Sequence, residues 1–188
     1  MATVTIKEPK IITFEYSPED GDKDKGSCLW ARFNLDLINY SMFIESDCGS
    51  YAYNWVPTPQ LESFLKLCSR FDGEYLLCKI STRNVVDNDE TWKNIQNLIN
   101  ECEDYILAEN DWDIEDIKEA CYSSSDERTV HDEIEVAIKF TSLDTAIDDL
   151  ELWEAIEKDY PVQARTIVNI YTTYIKPAIK EKLESEAQ

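Results

Sequence analysis

Between Cys28 and Leu37 the chain alternates without a break: Leu29, Ala31, Phe33, Leu35 and Leu37 fall on one side, and Trp30, Arg32, Asn34 and Asp36 on the other. Only an extended strand has a side-chain period of two, so this segment calls for a sheet with one apolar face. The pattern recurs in Lys10 to Tyr16 (Ile12, Phe14, Tyr16), Tyr40 to Ser46 (Tyr40, Met42, Ile44) and Tyr51 to Trp55 (Tyr51, Tyr53, Trp55). Turn chemistry separates the runs: PEDGDKDKG after the first, Ile38-Asn39 after the second, and DCGS at 47–50 after the third. Four half-buried strands in chain order predict an antiparallel meander over residues 1–56.

At Pro57 the period changes. Thr58 has the chemistry of a helix cap, Pro59 suits a first helical position, and Leu61, Phe64, Leu65 and Cys68 follow at helical spacing, with a stop expected near Asp72-Gly73. GEYLLCKIS at 73–81 fits a short helix or a strand. From Asp89 a longer helix carries Trp92, Ile95, Ile99, Cys102 and Ile106 on one stripe, and Ile114, Ile117 and Cys121 mark another over 113–121. Residues 130–140 read as helix, although Ile134, Val136, Ile138 and Phe140 also alternate. A helix is expected over 148–160 (Leu150, Trp153, Ile156), and Pro161 opens a last one in which Pro177 predicts a kink. With no repeat and no linker rich in Gly, Pro or Ser, the expected class is α+β: the N-terminal four-stranded sheet packed with the helical region 57–188 in one body.

Few catalytic templates can be built from one histidine and four glycines. There is no phosphate-binding glycine loop, G-x-S-x-G elbow or H-E-x-x-H. Cys48, in DCGS, has Glu45 and Asp47 as neighbours. Acids raise a thiol pKa, so a hairpin corner, with Asp47 bonding its own backbone and Gly49 at positive φ, is the better reading than a nucleophile. The six cysteines (Cys28, Cys48, Cys68, Cys78, Cys102, Cys121) form no C-x-x-C pair, and reduced, small apolar residues are expected. A zinc site from His131, Cys121 and nearby acids is the open alternative. Asp20, Asp22 and Asp24 imitate a calcium loop, but Lys25 stands where glycine is needed and Ala31 where the bidentate acid is needed; DWDIED at 111–116 fails in the same way. No cofactor is expected.

Charge is the extreme property. The chain carries 18 basic and 39 acidic residues, a net −21, and residues 87–159 alone carry 5 and 24. Duplex DNA bears one charge per about 1.7 Å, so 19 net charges match roughly 32 Å of duplex. A compact body of that length has a radius of gyration of about 11 Å and a span close to that figure. Such a surface repels nucleic acid and attracts the basic grooves that hold it. The chain is not expected to bind nucleic acid directly. No run approaches the roughly 18 apolar residues of a membrane span, and MATVTIKEPK lacks a secretory apolar segment, so a cytoplasmic protein is expected.

The stretch CLWARFNLDLINYSMFIESDCGSYAYNW, followed by LESFLKLCSRFDGEYLLCKI, resembles uncharacterised proteins of phages and prophages of Gram-positive bacteria. The likeness covers roughly residues 10–82 and leaves the acidic block outside it. It implies a mobile-element origin, and small acidic proteins from such elements include anti-CRISPR inhibitors of Cas9. The leading expectation is therefore a non-enzymatic inhibitor that occupies a basic nucleic-acid channel of a host effector such as Cas9. Its contacts are expected among Glu101, Asp104, Glu109, Asp111, Asp113, Asp116, Asp148, Asp149 and Glu151, which lie in the densest acidic runs and off the apolar stripes. The alternatives are a Mg²⁺-dependent nuclease using paired acids and a phage scaffold protein binding through exposed aromatics such as Trp30 or Tyr53.

Overall fold

A computed structural model describes residues 8–21, 25–57, 63–102, 111–139 and 141–186. The chain forms two compact units: residues 83–160 make one, and the segments on either side of them make the other.

The first unit contains the meander. Strands β1 (Ile11–Tyr16), β2 (Ala31–Asp36), β3 (Ser41–Ser46) and β4 (Gly49–Asn54) pair antiparallel in chain order. The register sets Phe33 opposite both Phe14 and Ile44, and Leu35 opposite Met42. Phe33, Leu35, Met42 and Ile44 are fully buried, each contributing about 1.5–3 kcal/mol of transfer free energy. The other face is mixed: Ile11 and Phe43 are exposed on it, beside Thr13 donating to Asn34 at 2.8 Å and Arg32 paired with Glu15 at 2.8 Å. Leu29, expected on the apolar face, is 65 % exposed because β2 begins only at Ala31.

Helices complete this unit. α1 (Phe64–Cys68) is capped by Ser63; the start expected at Thr58-Pro59 lies outside the described residues. Asp72-Gly73 is a beginning rather than a stop, for Asp72 accepts from the Tyr75 amide and caps α2 (Gly73–Ile80), so GEYLLCKI is helical. Trp55 stacks on Phe71 at 4.9 Å and donates its indole N–H to Tyr75 at 2.7 Å.

The chain returns to this unit at Pro161. Its last long helix is in three parts: an α-helix (Val162–Ile170), a π segment (Tyr171–Ile175) and another α-helix (Lys176–Glu186). Pro177 explains the widening. It has no N–H, and its ring crowds the carbonyl four residues earlier, so the helix takes a wider turn in which the Lys176 amide reaches back to the Tyr171 carbonyl. Tyr171, at the start of this turn, is buried in the core, where its hydroxyl donates to the Cys68 carbonyl at 2.6 Å.

The second unit is helical. α3 (Asn88–Glu101), α4 (Asp111–Cys121), α5 (Glu127–Ile138) and α6 (Asp149–Ala155) enclose Ile95, Ile99, Ile117, Val130, Ile134, Ile138, Leu143 and Leu152. Residues 130–138 are helical as expected, with Ile134 and Ile138 buried and Val136 outward. The helix expected over 148–160 is shorter. Its chain turns extended at Ile156, and Lys158–Asp159 (β6) pair with Val85–Val86 (β5). Leu150 is 64 % exposed, and Leu152 and Ala155 supply the buried contacts. No helix among the described residues is long and apolar enough to cross a membrane.

Candidate functional site: the acidic unit

Residues 83–160 hold 24 acidic and 6 basic side chains, a net −18, leaving −3 for the rest of the chain. None of the acids of this unit whose side chains are described is buried, and most are exposed, with Asp87, Glu127 and Asp159 half-buried. The reason is elementary. A carboxylate without a partner cannot be taken from water at a tolerable cost, so the apolar stripes face inward and the described acids stay in reach of solvent. Five of the six bases are already engaged within the unit: Lys93 with Glu90 (3.0 Å), Lys118 with Glu115 (3.1 Å), Lys158 with Glu127 (2.7 Å), Arg83 with Glu157 (3.8 Å) and Arg128 with Asp132 (4.0 Å). The basic side chains thus neutralise isolated spots and leave the surplus unbalanced.

The sequence-selected contacts separate into groups. Glu101, at the end of α3, and Asp116, on α4, are exposed. Asp111 and Asp113 belong to the first turn of α4, so DWDIED is helix and not a cation-binding loop. Asp104 and Glu109 lie outside the described residues.

The remaining three have local structural work. Asp148 and Glu151 form a reciprocal capping box on α6, the Glu151 amide donating to Asp148 at 2.8 Å and the Asp148 amide to Glu151 at 2.9 Å. Asp149 stands 3.0 Å from His131 Nε2. Although that is an ion-pair distance, neither ring nitrogen makes a hydrogen bond. His131 is only 3 % exposed, with its ring stacked on Trp153 at 3.9 Å and 10° and its Nδ1 3.6 Å from Asp132.

A zinc site joining His131 to Cys121 is not assembled: the metal-capable group around His131 holds Asp132 and Glu135 instead. Sequence reasoning also passed over the caps Asp87 and Asp126, which accept from the Glu90 and Thr129 amides. An Asp standing just before an apolar-periodic run was the available signal. For Asp126, bonds from the Thr129 amide and hydroxyl hold the carboxyl below its usual range.

Other motifs resolve in the first unit. Asp20 pairs with Lys25, as in a solvated loop. Trp30 is 43 % exposed, whereas Tyr53 is half-buried against Trp55 beneath the Lys79 ammonium. Cys48 sits in the β3–β4 turn, where Gly49 has φ +114°, and its thiol donates to the Ser27 carbonyl at 3.0 Å. Burial first, then the Asp47 charge, push this thiol above its ordinary value, the reverse of what a nucleophile needs. Asp47 does more than shape its own turn: it accepts from the Leu29 amide at 2.8 Å, the Trp30 amide at 3.3 Å and the Cys28 thiol at 3.1 Å.

A family model described as a phage family (Phage_phiTE_072) matches residues 6–181. No curated protein and no solved structure matches the chain.

Proposed function

The chain belongs to a phage protein family, and from that premise we propose that it is a non-enzymatic inhibitor whose acidic unit docks on a basic nucleic-acid-binding surface of a host effector. The observation that carries this reading is the segregation of charge: a net −18 resides in one compact unit whose described acids all stay in reach of solvent. A field of one sign over a surface that size speeds encounter with a basic groove and disfavours nucleic acid. Exposed carboxylates along helices line up negative charge, as a phosphate backbone does. The anti-CRISPR form of the proposal takes a guide-binding nuclease such as Cas9 as the effector, with competition for its nucleic-acid channel as the mechanism.

Glu101 and Asp116 are the carboxylates to reverse first, because Asp148 and Glu151 hold α6 and Asp149 faces His131. The test is binding of the purified protein to guide-loaded and empty Cas9 at low and high salt. Tight binding that weakens with salt, is displaced by target DNA and falls at least tenfold in a folded Glu101→Lys/Asp116→Lys variant supports the proposal. No binding at low salt removes this effector, and binding indifferent to salt and to charge reversal removes the mimicry mechanism.

A further inference from the structure

The sheet-containing unit holds a constellation that charge mimicry does not use. Cys28, Asp47 and Cys48 come from two chain segments about twenty residues apart, yet the sulfurs and a carboxylate oxygen lie within 4.8 Å of one another. We propose that these three side chains form a thiolate–carboxylate site for a soft divalent cation of the zinc class, clamping the β3–β4 turn to the segment entering β2.

Three features carry the proposal. The first is donor chemistry: two sulfurs and one carboxylate oxygen are a ligand set that zinc accepts, with solvent completing a tetrahedron. The second is spacing. Zinc–sulfur bonds of about 2.3 Å and zinc–oxygen bonds of about 2.0–2.2 Å set neighbouring donors roughly 3.5–3.8 Å apart. Cys28 Sγ and Asp47 Oδ1 are now 3.1 Å apart, so a cation entering the group has to spread this pair by only a few tenths of an ångström.

The third feature is preorganisation. Asp47 Oδ2 accepts the Leu29 amide at 2.8 Å, which turns Oδ1 toward Cys28, as outer-shell bonds orient ligands in metal sites. The turn itself is tied down by the Cys48 amide to Ser46 Oγ (3.1 Å), by Ser46 Oγ to the Gly49 carbonyl (2.7 Å) and by the Tyr51 hydroxyl to the Cys48 carbonyl (3.0 Å). Gly49 is required there, since its φ is +114° and a Cβ would meet the Tyr51 oxygen at 3.3 Å. Cys48 is only half-buried at the tip of this turn, where apolar packing gives no reason for a thiol.

Both S–H groups have acceptors, Asp47 for Cys28 and the Ser27 carbonyl for Cys48. Metal binding replaces these two protons, which leave to solvent, with two metal–sulfur bonds; no electron is transferred.

The test is titration of the fully reduced chain with Co²⁺, followed by displacement with Zn²⁺. The expected result is one equivalent of cobalt, a sulfur-to-cobalt charge-transfer band and its loss on adding zinc. Cys48→Ser, at a half-exposed position, is expected to fold and to weaken binding at least 100-fold. Asp47→Asn is expected to weaken it about 10–100-fold. The double variant Cys78→Ser/Cys102→Ser is expected to keep the full signal. Absence of the band in the folded, reduced protein overturns the proposal, as does a band that survives Cys48→Ser. Isolation of the chain with a Cys28–Cys48 disulfide that forms in preference to zinc binding overturns it as well.

Discussion

The two units differ more in how they treat polarity than in how they bury apolar surface. The sheet-containing unit carries a net −3 and draws polar groups inward: Tyr171 donates to the Cys68 carbonyl, Trp55 to Tyr75, and Lys176 reaches the Phe71 carbonyl at 2.8 Å. The acidic unit carries a net −18 around a core made chiefly of aliphatic side chains, with Trp92 and Trp153 only at its edge. Its carboxylates do their structural work at the surface, where Asp87, Asp126 and Asp148 cap helices at the end whose dipole favours negative charge. The first unit is tied by hydrogen bonds of this kind, whereas the second adds three acid caps at its surface to an interior whose buried polar side chains include Thr91, which accepts the Glu157 amide at 3.1 Å, and His131. The acidic unit therefore keeps its described carboxylates out of its core and still uses some of them to start helices.

The largest effects that probe this contrast lie in the cores. Phe33→Ala removes a fully buried ring between β1 and β3 and is expected to cost about 3–5 kcal/mol; Ile134→Ala in α5 is expected to cost about 2–5 kcal/mol. Denaturant unfolding measures both. Hydrogen exchange should place the lost protection in the sheet for the first and in α4 and α5 for the second. If Ile134→Ala costs under ~1 kcal/mol, the aliphatic core does not hold the acidic unit together.

How far the sequence reached follows the same divide. The meander was legible because a period of two over several runs has one structural solution, and the turn residues at 38–39 and 47–50 fixed the joints. The helices of the acidic unit were legible from their stripes, but their ends were not. The chain stops being helical at Ile156 because β6 pairs with β5, a partner over seventy residues earlier that no local pattern announces. The π turn was only half visible: Pro177 signalled a disturbance, but a kink and a widened turn answer the same missing N–H, and the local sequence does not choose between them. Among the candidate contacts, density of charge selected Asp148 and Glu151, and density does not distinguish a capping box from a free face. The approach of Cys28 to Asp47 and Cys48 was illegible, since it arises from the register of β2 on β3.

Smaller effects sharpen the contrast between surface caps and interior hydrogen bonds. Asp148→Ala removes the box that starts α6 and is expected to cost about 0.5–2 kcal/mol, with loss of helical signal confined to the acidic unit. Tyr171→Phe is expected to cost about 0.5–1.5 kcal/mol. That is modest for a buried hydroxyl, because the Cys68 carbonyl still accepts the Phe71 amide at 3.1 Å. If the cap proves neutral while Tyr171→Phe exceeds ~3 kcal/mol, the acids are not closing the helices.

The smallest effect is one of pH, and it turns on Asp36 at the end of β2. Burial raises its carboxyl pKa, but bonds from the Asn39 side chain (2.7 Å), the Asn39 amide (3.1 Å) and the Ile38 amide (3.0 Å) outweigh burial and hold it below the usual carboxylate value. A carboxyl depressed by folding stabilises the native state above its unfolded pKa, and that contribution is lost as pH falls through the folded value. Asp36→Asn keeps an oxygen for the two amides and removes the titration. The variant is thus expected to be slightly less stable than the parent at pH 7 and to lose less stability on going to pH 3. Thermal unfolding at both pH values measures the difference. In the acidic unit the same drop in pH protonates mutually repelling surface acids as well as the Asp126 cap, so relief of repulsion opposes loss of the cap. Acid should consequently loosen the Asp36 turn before it loosens α5, an order that residue-resolved hydrogen exchange at pH 3 can read directly. The reverse order would mean that repulsion among the acids is too well screened to matter.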